Sequence, residues 1–178
     1  HSDGTFDIVN NGLAAAHLPV GEKFTAKLSI PGKHNVLNAL AAAAVGLLLG
    51  ETPELIAQGL VSYQASGMRQ NIYEQDGYQI YADCYNASPD AMEATLSVLG
   101  GMAGDGRRFA VLGSMLELGV AGAREKGMEH AYAFDDQTAL VAALREDAKK
   151  GDALLFKGSR GMRMERALAM FLGEEVEA

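Results

Sequence analysis

Between residue 67 and the end of the chain, short apolar runs alternate with segments that open on helix-capping residues, and no other feature limits the fold so strongly. Tyr78 to Asp83, Arg108 to Leu112 and Ala153 to Phe156 read as strands. Ser88-Pro89-Asp90 supplies an N-cap, a first-turn proline and a first-turn acid ahead of Met92, Leu96 and Leu99. Asp136 opens a second helix through Leu140, Leu144 and Lys150 that closes at Gly151. A short strand is expected at Ala131 to Phe134 and a last helix over about Met162 to Leu172. Strands alternating with helices predict an α/β fold with a mostly parallel sheet.

The residues before this region have a different texture. Lys23 to Ile30 alternates polar side chains with Phe24, Ala26, Leu28 and Ile30, the period of a half-buried strand, and Thr5 to Val9 is a weaker strand beside it. Asn35 to Leu49 is rich in Ala and Leu, stops at Gly50 and reads as a buried helix. Thr52-Pro53-Glu54 starts a shorter helix that runs to about Tyr63. Ala65-Ser66-Gly67 is the best linker, so the 178 residues divide into a part at 1–65 and a part at 66–178.

Charge and composition exclude some functions. With 15 basic against 23 acidic residues and a net charge of -8, the chain is not expected to bind nucleic acid. The apolar run from Ala39 to Leu49 falls well short of the roughly 20 residues that a bilayer span needs, so no membrane span is expected. A single cysteine, Cys84, and the lack of a signal-peptide pattern favour a reducing, cytoplasmic setting. The first residue is His1 and strand-like sequence begins at once, so the chain is expected to be a fragment.

In open α/β sheets, ligands gather outside the carboxyl ends of the strands. Three segments qualify: Asp83 to Asp90, Gly113 to Gly119, and Lys157 to Arg160. Each also has a plain structural reading, with Asp83 and Lys157 as solvated strand ends, Ser88 as a cap and Glu117 as a surface acid. Taken in order, Gly32-Lys33-His34-Asn35-Val36-Leu37-Asn38, Gly67-Met68-Arg69, Asp83-Cys84-Tyr85-Asn86-Ala87-Ser88-Pro89-Asp90, Val111-Leu112-Gly113-Ser114-Met115-Leu116-Glu117-Leu118-Gly119 and Lys157-Gly158-Ser159-Arg160 resemble the Mur ligase family over nearly the whole chain.

The resemblance implies an ATP-dependent acid–amino-acid ligase of bacterial cell-wall synthesis. Residues 1–65 would be the C-terminal remnant of a central ATP-binding domain, and residues 66–178 a Rossmann-like C-terminal domain. The member most similar adds D-alanyl-D-alanine to a UDP-N-acetylmuramoyl-tripeptide: ATP phosphorylates the peptide carboxyl, and the dipeptide amine attacks the acyl phosphate. The family keeps its phosphate loop, its magnesium ligands and a uridine-binding domain upstream of the first residue here, so no metal ligand is assigned in this chain and the fragment alone is expected to be inactive. Other Mur ligases, folate polyglutamylating ligases, and a binding module without turnover remain as alternatives.

Residue by residue, the resemblance places Asn35 and Asn38, three apart on one helix face, at the adenine edge, with capping as the alternative for Asn35. Arg69 corresponds to an arginine that reaches the ATP phosphates, the one catalytic assignment, with a surface ion pair as its alternative. Asp83 would accept from the ribose hydroxyls. Asn86, Ser88 and Asp90 would surround the dipeptide, and Lys157 and Ser159, beside a helix start, would suit its carboxylate. The family usually has Asp where Ser114 stands, which leaves Glu117 as the likelier acid, while Cys84 reads as a packed residue and no nucleophile. Too few residues separate Gly119 from Ala131 for the helix and parallel strand that the family has there, so a missing segment is expected after Gly119.

Overall fold

The computed structural model describes residues 5–12, 18–64, 67–102, 104–113, 130 and 132–175. They belong to two compact units, His1–Ala65 and Ser66–Ala178. Ser114, Met115, Glu117 and the seam after Gly119 lie outside the described residues.

In the first unit, β1 (Thr5–Val9) pairs antiparallel with β2 (Lys23–Lys27), Thr5 opposite Lys27 and Val9 opposite Lys23. The alternation seen in the sequence turns Phe24 and Ala26 to the side that carries Phe6 and Ile8, and these pack with Ala43 of α1 (Lys33–Leu48) and with Ile56 and Leu60 of α2 (Pro53–Ser62). β2 stops at Lys27, short of Ile30, and Pro31 follows. Gly50 takes a φ of 91°, as a glycine past a helix end should, and the Thr52 hydroxyl accepts from the Leu55 N–H at 3.3 Å. The helix expected to be buried is buried only along Asn35, Ala39, Ala43 and Leu47, one residue per turn; Leu37, Val45 and Leu48 on its other sides are more than half exposed. Its Ala-rich composition gave no contrast between faces, so sequence periodicity could not reveal the single buried stripe.

Among the described residues, the second unit holds a four-stranded sheet of order β3-β4-β6-β5. β4 (Tyr78–Asp83), β6 (Ala153–Lys157) and β5 (Arg108–Leu112) run parallel, so the expected mostly parallel α/β arrangement is present. β3 (Asn71–Gln75) is an antiparallel edge strand that the sequence reading passed over. Its signal was the Asp76-Gly77 pair, whose φ values of 53° and 83° match a two-residue hairpin turn with both central residues left-handed.

Side chains alternate across the sheet. Ile80, Ala82, Cys84, Val111, Leu154 and Phe156 face α4 (Gln137–Asp147) and α5 (Met164–Leu172), through Val141, Leu144, Ala167, Leu168 and Phe171. Tyr81, Ala153 and Leu155 face α3 (Pro89–Gly101), through Leu96 and Leu99. The result is a helix–sheet–helix sandwich, in which both faces of the central strand β6 are covered and every one of its residues is buried.

The caps formed as the sequence indicated: Ser88 Oγ accepts from Ala91 N at 3.3 Å and Asp136 Oδ1 from Ala139 N at 2.8 Å. Three boundaries differ. Residues 132–134 form no strand, and Tyr132 is 70% exposed; Ala131 lies outside the described residues. α4 ends at Asp147 rather than Lys150, because the Lys149 N–H is taken at 2.8 Å by the Asp152 carboxylate instead of continuing the helix. The last helix starts at Met164, after a single 3-10 turn at Arg160–Met162 and a left-handed Arg163.

Asp152 ties the amino edge of the sheet together. Its Oδ1 accepts from Arg107 N at 2.8 Å, its Oδ2 from Lys149 N, and the Arg107 guanidinium lies 3.2 Å away. Burial would raise this carboxyl, but the Lys149 and Arg107 N–H groups and the Arg107 charge together hold it below its ordinary value of 3.8. Asp152→Ala should cost about 2–4 kcal/mol in denaturant unfolding, because two backbone donors lose their acceptor. The stability that the carboxylate contributes should be complete above its ordinary value and lost as pH falls through the lower folded value, and acid titration of the variant should lack that loss.

Candidate functional site

β4 and β6 end side by side, with Asp83 directly across from Lys157 in the parallel register. Because Ala82 and Cys84 point toward α5, Asp83 points the other way, toward α3, and Lys157 shares that face. The Lys157 ammonium lies 2.5 Å from Asp83 Oδ2, both side chains being more than nine-tenths buried. The pair has further contacts: Gln70 N donates to Asp83 Oδ1 at 3.3 Å, Lys157 also donates to the Asn86 carbonyl at 3.1 Å, and the Thr95 hydroxyl of α3, 2.6 Å from the Ala91 carbonyl, lies 3.2 Å from Asp83 Oδ2 and shares its one proton between the two. Neither residue is a solvated strand end. Together they fasten the residues after the linker, the β4–α3 loop and α3 to the tip of the sheet.

Outside this buried pair lies an exposed layer. The Arg69 guanidinium sits 3.4 Å from the centroid of the Tyr85 ring, and that of Arg160 sits 4.5 Å from the same centroid. Asn86 and Asp90 are exposed, Ser88 is partly buried as the cap of α3, and Ser159 is partly buried at the start of the 3-10 turn. Arg69 joins no ion pair among the described residues, so its surface-pair alternative is not what the structure shows. Gly158 lets β6 run against α5, since a Cβ there would stand 2.5 Å from Met164 Cγ.

Two side chains near the pair are set against acid–base or nucleophilic work. Burial, then the negative charges of Glu165 and Asp83, push the Cys84 thiol up to about 12, against the pull of the Asp83 backbone and Lys157. Its Sγ faces the Phe156 carbonyl at 3.4 Å, so it is a packed thiol and no nucleophile. Burial and the Asp83 charge likewise raise Tyr81 to about 12, against a hydrogen bond with Thr95.

Asn35 and Asn38 stand in the first unit. Asn35 is buried, with Nδ2 donating to the Pro31 carbonyl at 2.7 Å, and Asn38 is exposed. The N-cap of α1 is Gly32, with no side-chain cap bond, so Asn35 is not the cap. The structure therefore brings together Arg69, Asp83, Asn86, Ser88 and Lys157 around the end of β4, with Asp90 and Ser159 on the segments that continue from it. Sequence reasoning missed Thr95, Gln70, Tyr85 and Arg160 as members. Tyr85 and Arg160 stood inside motif segments already singled out, whereas nothing in the local sequence links Thr95 to Asp83.

Comparison with known proteins adds to this geometry. The profile of the family described as "Mur ligase, glutamate ligase domain" matches residues 68–128. A UDP-N-acetylmuramoyl-tripeptide–D-alanyl-D-alanine ligase of Bacillus subtilis is 34% identical over 93% of this chain and 44% of its own length. The chain belongs to the Mur ligase family.

Among other Mur ligases, the Escherichia coli UDP-N-acetylmuramoyl-tripeptide–D-alanyl-D-alanine ligase is 32% identical over 79% of this chain and 37% of its own. The MurF ligase from Thermotoga maritima, solved in complex with ADP, is 33% identical with a TM-score of 0.69 over 85% of this chain and 41% of that one. A ligase structure from Acinetobacter baumannii gives a TM-score of 0.76 at 28% identity, over 89% and 40%. The chain thus spans less than half the length of each of these Mur ligases.

A buried pair of this kind is costly to break and cheap to replace. Lys157→Met should destabilise the second unit by about 3–5 kcal/mol, and the double variant Asp83→Asn, Lys157→Met should recover a good part of that loss. Denaturant unfolding of the two singles and the double checks this. In the same samples, a thiol reagent at pH 8 should label Cys84 only on unfolding.

Proposed function

We propose that the chain is the C-terminal part of an ATP-dependent, cytoplasmic ligase that joins D-alanyl-D-alanine to UDP-N-acetylmuramoyl-tripeptide through an acyl phosphate, in peptidoglycan synthesis. In this reading residues 1–65 are the end of a central ATP-binding domain and residues 66–178 the C-terminal domain. The observation that carries it is the meeting, at one edge of the parallel sheet, of the loops after β4 and β6, joined through Asp83 with Lys157 and through Tyr85 with Arg160. The loop after β4 holds one of the two most specific segments of the resemblance, and ligands of such sheets sit at that edge.

The residues fit a nucleotide in specific ways. Asn38, exposed, offers an amide donor and acceptor to a base edge, and Asn35 fixes the start of the same helix. Asp83 Oδ1 accepts one bond from Gln70 and has a second lone pair for a ribose hydroxyl. Arg69 presents a planar fork to the phosphates. For the dipeptide, Asn86, Ser88, Asp90 and Ser159 face outward or partly so, whereas Lys157 acts from behind, holding the Asn86 carbonyl and Asp83. Magnesium would accompany ATP and neutralise its phosphates. The reading follows the family resemblance in placing the metal ligands elsewhere in the enzyme, and the Asp83 carboxylate is engaged by Lys157.

The test uses the complete reading frame. With ATP, magnesium, UDP-N-acetylmuramoyl-tripeptide and D-alanyl-D-alanine it should release phosphate and form the pentapeptide, and this chain alone should not. Arg69→Ala should lower turnover by about 10²-fold or more, through loss of a phosphate-side charge. A UDP-N-acetylmuramate–L-alanine ligase of Xylella fastidiosa is 46% identical over 36% of this chain, so L-alanine with UDP-N-acetylmuramate is the informative competitor. Preference for it would overturn the dipeptide assignment.

A further inference from the structure

The backbone between β6 and α5 passes through Arg163, which holds φ 46° and ψ 46° without being a glycine. A residue with a side chain keeps that left-handed conformation only where its surroundings fix it. Neither the 3-10 turn at Arg160–Met162 nor α5 has a side-chain cap, so support has to come from elsewhere in the chain. Gln137, the first residue of α4, supplies it. Its Nε2 donates to the Met162 carbonyl at 2.8 Å and to the Arg163 carbonyl at 3.2 Å, so both amide hydrogens are spent on the two carbonyls at the bend. Asp136 already caps α4 through the Ala139 N–H, so the helix does not need Gln137 for its own start. The bend also rests on Gly113, where an added Cβ would stand 3.1 Å from Met162 Cβ. The segment held in this way carries Ser159, partly buried, and Arg160, which lies over Tyr85.

We propose that Gln137 is a positioning residue for the acceptor dipeptide, acting not on the ligand but through the turn, whose place it sets and with it the place of Ser159. This role rests on the reading above that Ser159 faces D-alanyl-D-alanine, whereas the clamp itself is read from the two hydrogen bonds. Removing the donors loosens the turn and leaves Arg69 and Asp83 as they are. Affinity for the dipeptide then falls while turnover at saturation is kept.

The complete protein is assayed for pentapeptide formation at varied D-alanyl-D-alanine. Gln137→Met, of similar length but without a donor, should raise the dipeptide KM about fivefold or more and leave kcat within about twofold. Gln137→Lys, which restores a donor of similar reach, should bring KM back to within about twofold of the parent. Thr138→Ala, exposed one residue further on, should change neither. In the 178-residue chain, hydrogen exchange reads the clamp without the reaction. The Met162 and Arg163 N–H groups, bonded to the Ser159 and Arg160 carbonyls, should exchange about tenfold or more faster in Gln137→Met, whereas those of Gly151 and Ala153 at the opposite rim should keep their rates. Equal acceleration at both rims, as a general loss of stability gives, overturns the role. So does an unchanged dipeptide KM beside an active parent, or a raised KM that Gln137→Lys fails to restore. If the parent makes no pentapeptide, the ligase reaction falls; acceleration confined to Met162 and Arg163 then leaves the clamp standing, and its absence removes both.

Discussion

Asp83 and Lys157 meet because β4 and β6 run parallel in one particular register, and the loops at that end of the sheet take their positions from the meeting. A slip of one residue along either strand would turn one partner to the opposite face, into the layer formed by Val141, Leu168 and Phe171. An unpaired charge there would be far more costly than any single apolar contact, so the pair penalises wrong registers as much as it supports the right one. The same two side chains then reach the Gln70 N–H, the Asn86 carbonyl and Thr95, so one buried contact links four segments of the chain.

This arrangement is layered. The inner layer of Asp83, Lys157 and Thr95 is buried and hydrogen-bonded, while the outer layer of Arg69, Tyr85, Asn86 and Arg160 is exposed. Rigid backing adds to the stacking of Arg69 and Arg160 on Tyr85 in holding the exposed groups, which suits a site for a charged, strongly hydrated ligand.

Much of the fold could be read from the sequence where local chemistry decides the structure. Ser88, Thr52 and Asp136 cap their helices because a side-chain oxygen near a free N–H is a local event. Tyr78–Asp83 and Arg108–Leu112 match their expected bounds because both are short apolar runs between turn residues. What failed depended on distant partners. Residues 132–134 have strand-like composition but form no strand pairing among the described residues, and α4 stops early because Asp152, five residues on from its end, takes an N–H the helix would have used. In the site, the family motifs marked Asp83 and Lys157, but their burial against each other came from strand register, which one sequence does not display. The β3–β4 hairpin is the exception, since its Asp76-Gly77 signal was local and was overlooked.

The two rims of the sheet are built differently. At the amino rim, the Gly77 carbonyl accepts from Gly151 N at 2.7 Å and Asp152 holds Arg107 and Lys149, so turns from three parts of the chain are bound backbone to backbone or through one carboxylate. At the carboxyl rim the outermost side chains touch one another mainly by stacking. Substitutions can therefore accumulate on one rim while the other stays unaltered. A lineage could exchange the molecule it recognises by rewriting a few exposed residues after β4 and β6, inheriting the scaffold unchanged.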